Sequence, residues 1–108
     1  MFMKNILFVC SQNLQRSPTA EELFRHNPEY QVKSAGILPG SKTMLDEKLL
    51  AWAETVFVME DIHKEWIEKR FPEYSRKVIV LGIPDAYFYL DAELISAIME
   101  KTEKYLKV

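Results

Sequence analysis

Lys4-Asn5-Ile6-Leu7-Phe8-Val9, running into Cys10-Ser11-Gln12-Asn13-Leu14-Gln15-Arg16-Ser17-Pro18, is the stretch on which the fold turns. Its first half is an unbroken apolar run. A strand with one wet face alternates apolar and polar residues, so an unbroken run predicts a central parallel strand covered by helices on both faces. Its second half is a short polar loop that leads into Ser17-Pro18-Thr19. Ser17 reads as a helix cap, Pro18 as the first helical residue, and Thr19-x-x-Glu22 as a second capping box.

Working outward, the same grammar repeats. Leu23 and Phe24 would face the sheet and Asn27-Pro28 would end the first helix. A short second strand is expected around residues 30–33, closed by Ser34-Ala35-Gly36. Thr43-x-x-Asp46 predicts a capped helix with Leu45, Leu49, Leu50 and Trp52 on its apolar side. Residues 55–59 are β-branched and apolar, a third strand. Residues 60–70 predict an amphipathic helix with Ile62, Trp66 and Ile67 inward, stopped at Phe71-Pro72. Residues 77–81 form the fourth strand and 91–106 the last helix, with Leu94, Ile95, Ile98, Met99 and Tyr105 inward. Strands alternating with helices pair in parallel through right-handed crossovers. The expected fold is therefore α/β: a three-layer, open, four-stranded parallel sheet of order 2-1-3-4, flavodoxin-like, with helices on both faces. Ligands of such sheets bind beyond the C-terminal strand ends, where strand order reverses. Cys10 lies at that point.

The 108 residues are 48% hydrophobic and 28% charged, the composition of one globular domain spanning 1–108. A formal net charge of -2 with no Lys/Arg run argues against nucleic acid or an anionic membrane as partner, since either needs clustered positive charge. The apolar N-terminal stretch lacks the length and cleavage site of a signal peptide, so a cytoplasmic protein is expected. The single Cys cannot close an internal disulfide, and no His/Asp/Glu cluster has metal-ligand spacing. Neither a metal nor an organic cofactor is expected.

Cys10 is then either a buried apolar residue or a reactive thiol. A free Cys is most often a core residue, Arg16 alone would be a solvated helix-start residue, and Asn13 is ordinary loop chemistry. Their joint placement at the crevice favours chemistry. Amides of a tight loop and a helix N-terminus form an anion nest. The Arg16 guanidinium can hold two phosphoryl oxygens side by side. The same positive field favours the thiolate of Cys10, the nucleophilic form. Ser17 can donate a hydrogen bond to that thiolate, and Asn13 can hold the loop in shape.

Cys10-(x)5-Arg16-Ser17-Pro18-Thr19-Ala20-Glu21 directly after Ile6-Leu7-Phe8-Val9 resembles the low-molecular-weight protein tyrosine phosphatases. Ser34-Ala35-Gly36, Val58-Met59 and Asp85-Ala86-Tyr87 match that family in order, so the likeness covers nearly the whole chain. The resemblance implies phosphomonoester hydrolysis through a phosphocysteine, on a phosphorylated protein or a small aryl phosphate. It makes Cys10 the nucleophile, and Arg16 with Ser11, Gln12, Asn13, Leu14, Gln15 and Ser17 the phosphate holders. Asp85 becomes the general acid, with Asp91 as runner-up, although Asp91 also suits a cap of the last helix. Chemistry asks for the same carboxyl, because expelling an alkoxide or phenolate requires a proton donor and the second step requires a base. Tyr87, Phe88 and Tyr89 lie beside it and can stack on an aryl group.

The departures carry expectations of their own. Gln12 stands where the family usually has Gly, which predicts strain if the loop is left-handed there. Gln15 replaces a frequent second Cys, which removes a partner able to protect Cys10. Ala86 replaces the Pro of the acid loop, and the segment between Gly36 and Trp52, where the family builds an aromatic wall, is short. Two other readings follow: a phosphate- or phosphopeptide-binding module without turnover, and arsenate reduction, which usually needs further cysteines. Trp52 and Trp66 read as packing residues, and His26 and His63 as solvated helix residues.

Overall fold

The computed structural model describes residues 3–107. Its elements run β1 (Lys4–Cys10), α1 (Arg16–Phe24), β2 (Tyr30–Gly36), α2 (Glu47–Trp52), β3 (Thr55–Val58), α3 (Asp61–Arg70), a 3-10 turn (Pro72–Lys77), β4 (Val78–Val80) and α4 (Ala92–Thr102). All strands pair in parallel in the order β2-β1-β3-β4, as the alternation of elements predicts.

The unbroken run of β1 is explained by two cores. Ile6, Phe8 and Cys10 point to one face, where they meet Ala20 and Phe24 of α1 and Leu94 and Ile98 of α4. Leu7 and Val9 point to the other, against Leu50 of α2 and Ile67 of α3. Because successive strand side chains alternate in direction, a strand sandwiched between helical layers must be apolar at every position. Phe8 stacks on Phe24 and Phe57 at ring separations of 5.9 and 5.4 Å, so α1 and β3 are locked to β1 by one side chain. Removing it would cost about 3–5 kcal/mol.

Several boundaries depart from expectation. β2 extends to Gly36, because its last residues complete the parallel ladder with Cys10. α2 is capped by Asp46, whose carboxylate accepts the Leu49 amide. In α3, Ile62 is exposed and His63 is fully buried, the reverse of the amphipathic reading. α4 ends at Thr102, short of Tyr105, and both Tyr105 and Met99, the latter within the helix, are exposed. Asp91 caps α4 by accepting the Glu93 amide. No helix among the described residues is long and apolar enough to cross a membrane.

Candidate active site

The loop between β1 and α1 folds around the sulfur of Cys10. Asn13 donates its amide to Sγ at 3.3 Å and sits at φ 58°, a left-handed conformation that Asn tolerates better than most residues. Its side chain is buried and used at both ends. Nδ2 donates to Ser17 Oγ and to Ser34 Oγ, both at 2.9 Å, and Oδ1 accepts the Thr43 amide at 3.1 Å. The left-handed residue is therefore Asn13 and not Gln12, so the expected strain at Gln12 does not arise. Gly36 lies beneath: a Cβ there would sit 2.8 Å from the Ser11 carbonyl and 2.9 Å from the Asn13 amide, and closer still to Ser41 Oγ. Only glycine lets β2 approach the loop this way.

Ser17 is not the cap of α1. The helix starts at Arg16, Gln15 takes the cap position without a side-chain bond, and the Ser17 hydroxyl turns to the sulfur at 3.0 Å. Since Ser17 Oγ already accepts from Asn13 Nδ2, its own proton can go to Ala35 O at 3.3 Å or to Cys10 Sγ. A thiolate would draw it to the sulfur, adding a second donor to the Asn13 amide. The amides of Gln12, Leu14 and Gln15 donate to no protein acceptor among the described residues.

Arg16 is 2% exposed, which an unpaired guanidinium would not tolerate. Nη1 donates to Glu60 Oε1 at 2.6 Å and to the Ile83 carbonyl at 2.9 Å, Nη2 donates to Ser11 Oγ at 3.3 Å, and Nε lies 3.9 Å from Asp85 Oδ1. Both Nη1 protons are thus committed to protein. The Nε–H and one Nη2–H donate to no protein acceptor within hydrogen-bond distance among the described residues, and a guanidinium with such donors left can hold oxygens of an anion. Cys10, Ser11, Gln12, Leu14, Gln15, Arg16 and Asp85 line one hollow. It is narrow, about 10 Å³, and Gln12, Leu14 and Asp85 at its rim are exposed. A larger hollow of about 260 Å³ lies behind the loop, between Asn13, Lys33 and Lys42, and Cys10 does not line it. Among the described residues no group of three or more His, Cys, Asp or Glu side chains could hold a metal ion.

The loop that carries Asp85 is pinned at both ends: Ile83 O accepts from Arg16, and the Leu90 amide donates to Thr19 Oγ1 at 2.9 Å. These bonds supply restraint that a Pro at position 86 would give. Asp85 itself is 59% exposed. Tyr87 does not line the hollow; it packs partly buried against the core beneath the loop, whereas Phe88 is 78% exposed and Tyr89 is 47% exposed.

Low molecular weight phosphotyrosine protein phosphatase is the family description that matches this chain, over residues 5–51. A protein-arginine-phosphatase of Geobacillus stearothermophilus is 34% identical, covering 70% of this chain and 68% of that one. The low molecular weight protein-tyrosine-phosphatase Ptp of Acinetobacter johnsonii is 32% identical, covering 81% and 82%. This chain belongs to the low-molecular-weight phosphotyrosine protein phosphatase family. Membership makes its chemistry cysteine-based phosphate hydrolysis. The tyrosine phosphatase Wzb from Escherichia coli K30, solved with phosphate, superposes with a TM-score of 0.80 at 23% identity over 96% of each chain. The YwlE arginine phosphatase from Geobacillus stearothermophilus gives 0.70 at 25% identity, over 97% of this chain and 99% of that one.

Within this member of the family, Glu60 and His63 are site residues that the sequence reading passed over. The His63 Nδ1 accepts the Glu60 amide at 2.9 Å, and Nε2 lies 3.0 Å from Ser11 Oγ. A Glu-x-x-His capping pair directly after Val58-Met59 was the available signal. Burial, and then the Arg16 guanidinium, lower the His63 pKa from 6.5 to about 4, against the pull of the Glu60 and Asp85 carboxylates. The unfolded chain therefore takes up this proton at a pH where the folded chain does not. The contribution to stability is whole above pH 6.5 and is lost as the pH falls toward 4, by ~3 kcal/mol. Urea midpoints measured at pH 7 and pH 4.5 are expected to fall less for His63→Asn than for the wild type; equal losses in the two proteins would show that His63 does not govern acid stability.

Proposed function

We propose that this protein is a cytoplasmic phosphatase acting on protein phosphotyrosine or small aryl phosphates, with the span 1–108 working as one domain. The observation that carries this reading is the single hollow lined by Cys10, the free edge of Arg16 and Asp85. The Cys10 thiolate attacks phosphorus, an S–P bond forms, and the P–O bond to the leaving group breaks as Asp85 delivers a proton to that oxygen. Water then attacks the phosphocysteine, Asp85 takes a proton from it, and the S–P bond breaks to release phosphate and thiolate. A catalytic thiolate suits a reducing compartment. Leu14 lines the hollow and is 53% exposed, so it offers apolar surface to an aryl ring.

A phosphoarginine side chain is the second reading, favoured by the 34% identity to a protein-arginine-phosphatase. Parallel assays on a phosphotyrosine peptide, p-nitrophenyl phosphate and a phosphoarginine protein separate the two. The expected result is turnover of both aryl substrates, lowered about 10²-fold on the phosphotyrosine peptide by Asp85→Asn. The loss should be smaller on p-nitrophenyl phosphate, whose leaving group needs little protonation. Turnover of phosphoarginine alone would replace the first reading with the second.

A further inference from the structure

The hydrogen-bond directions around Ser11 can be assigned from the backbone outward. The Glu60 amide can only donate, so His63 Nδ1, at 2.9 Å from it, carries no proton. The neutral imidazole then holds its proton on Nε2, 3.0 Å from Ser11 Oγ. His63 is wholly buried, so no solvent competes for that proton. Ser11 Oγ accepts this bond and a second from Arg16 Nη2 at 3.3 Å. With both lone pairs occupied by donors, the Ser11 hydroxyl proton has one direction left, and Ser11 lines the hollow beside Cys10.

We propose that His63 is a positioning residue that fixes the Ser11 hydroxyl as a hydrogen-bond donor to the phosphoryl group held over Cys10. The geometry also excludes the opposite polarity. An imidazole protonated at Nε2 cannot take a proton from Ser11, so the pair is not a nucleophile with its base. Glu60 enters the same arrangement twice, holding Arg16 through its carboxylate and His63 through its amide. The start of α3 thereby sets the two donors, Arg16 and Ser11, relative to each other. This assignment rests on the phosphatase reading for its kinetic readout but not for its binding readout.

Isosteric variants divide the two halves of the imidazole. His63→Asn keeps an acceptor where Nδ1 stands and removes Nε2; His63→Gln keeps a donor where Nε2 stands and removes Nδ1. With p-nitrophenyl phosphate, His63→Asn is expected to lose about tenfold or more in kcat, the scale of one bond to a charged group, while melting close to the wild type. His63→Gln is expected to melt lower yet recover most of the turnover when assayed below its transition. Ser11→Ala should show the loss of His63→Asn, and the double variant no further loss. Wild-type kcat in both His63→Asn and Ser11→Ala, or additive losses in the double variant, would overturn the proposal. If the wild type does not turn over, the phosphatase reading fails by itself and calorimetric titration with inorganic phosphate carries the test. Binding weakened in His63→Asn and Ser11→Ala but not in His63→Gln supports positioning, and equal affinity in all four proteins refutes it.

Discussion

Cys10→Ser is expected to abolish turnover of every phosphate ester, by at least ~10⁴-fold, while leaving the fold and phosphate binding in place. The sulfur ends β1, is 3% exposed and is surrounded by donors: the Asn13 amide at 3.3 Å and the Ser17 hydroxyl at 3.0 Å. Both groups can donate to the sulfur. A serine hydroxyl in the same place holds its proton far more tightly than a thiol does and is the weaker nucleophile. The substitution shortens one bond and keeps a polar atom that the Asn13 amide can use. A melting temperature near that of the wild type is therefore expected. Phosphate titration of Cys10→Ser should give wild-type or tighter affinity, since the incoming dianion no longer meets a negative sulfur. Residual turnover above a hundredth of the wild-type rate would remove Cys10 from the role of nucleophile.

The parts of this site that were legible in the sequence are those written by local chain geometry. An apolar run that does not alternate has one structural meaning when helices flank it, so β1 is legible as a central strand from residues 4–9, and the parallel order from the alternation of strands with helices along the chain. Cys10 and Arg16 belong to one turn of chain, and their meeting required no long-range information. The loop that carries Asp85 stands out through its likeness to a family motif, but its support is not visible in the sequence, because the restraint comes from Thr19 and Arg16 and not from a Pro at position 86. Ser17 carries two signals, a helix cap and a partner for the sulfur, and only the contact with the sulfur is made. Ser before Pro is a strong local capping pair, yet a sulfur at 3.0 Å and a buried Asn13 amide group outweigh one capping bond in a helix already anchored by Ala20 and Phe24.

His63 was misread for a different reason. Helical periodicity reports which side of a helix meets the core, but the first turn of α3 overhangs the C-terminal end of the sheet, where the neighbour is the polar loop. There the inward position is occupied by an imidazole that Ser11 and Glu60 satisfy, and Ile62 faces out. Polar residues at the N-terminal turn of a helix that follows a central strand deserve the reading given to the phosphate loop itself.

Arg16→Lys is expected to lower kcat/KM by on the order of 10³-fold and to raise the dissociation constant for phosphate, even though charge is conserved. The guanidinium here is divided between two tasks. Nη1 is fixed by Glu60 Oε1 at 2.6 Å and Ile83 O at 2.9 Å, which holds the guanidinium in the wall of the hollow that Cys10 also lines. A lysine ammonium cannot be divided in this way. Drawn to Glu60, it leaves the hollow without a cation; drawn to the anion, it leaves the Glu60 carboxylate and the Ile83 carbonyl without their donor. Either arrangement also loosens the Asp85 loop, which Arg16 holds through Ile83. The loss should accordingly exceed that of Asp85→Asn and should appear in phosphate affinity as well as in turnover, whereas removal of a general acid alone leaves phosphate affinity near the wild-type value. Arg16→Lys with phosphate affinity unchanged would mean that the anion is held by loop amides alone, and that Glu60 orients Arg16 for stability and not for catalysis.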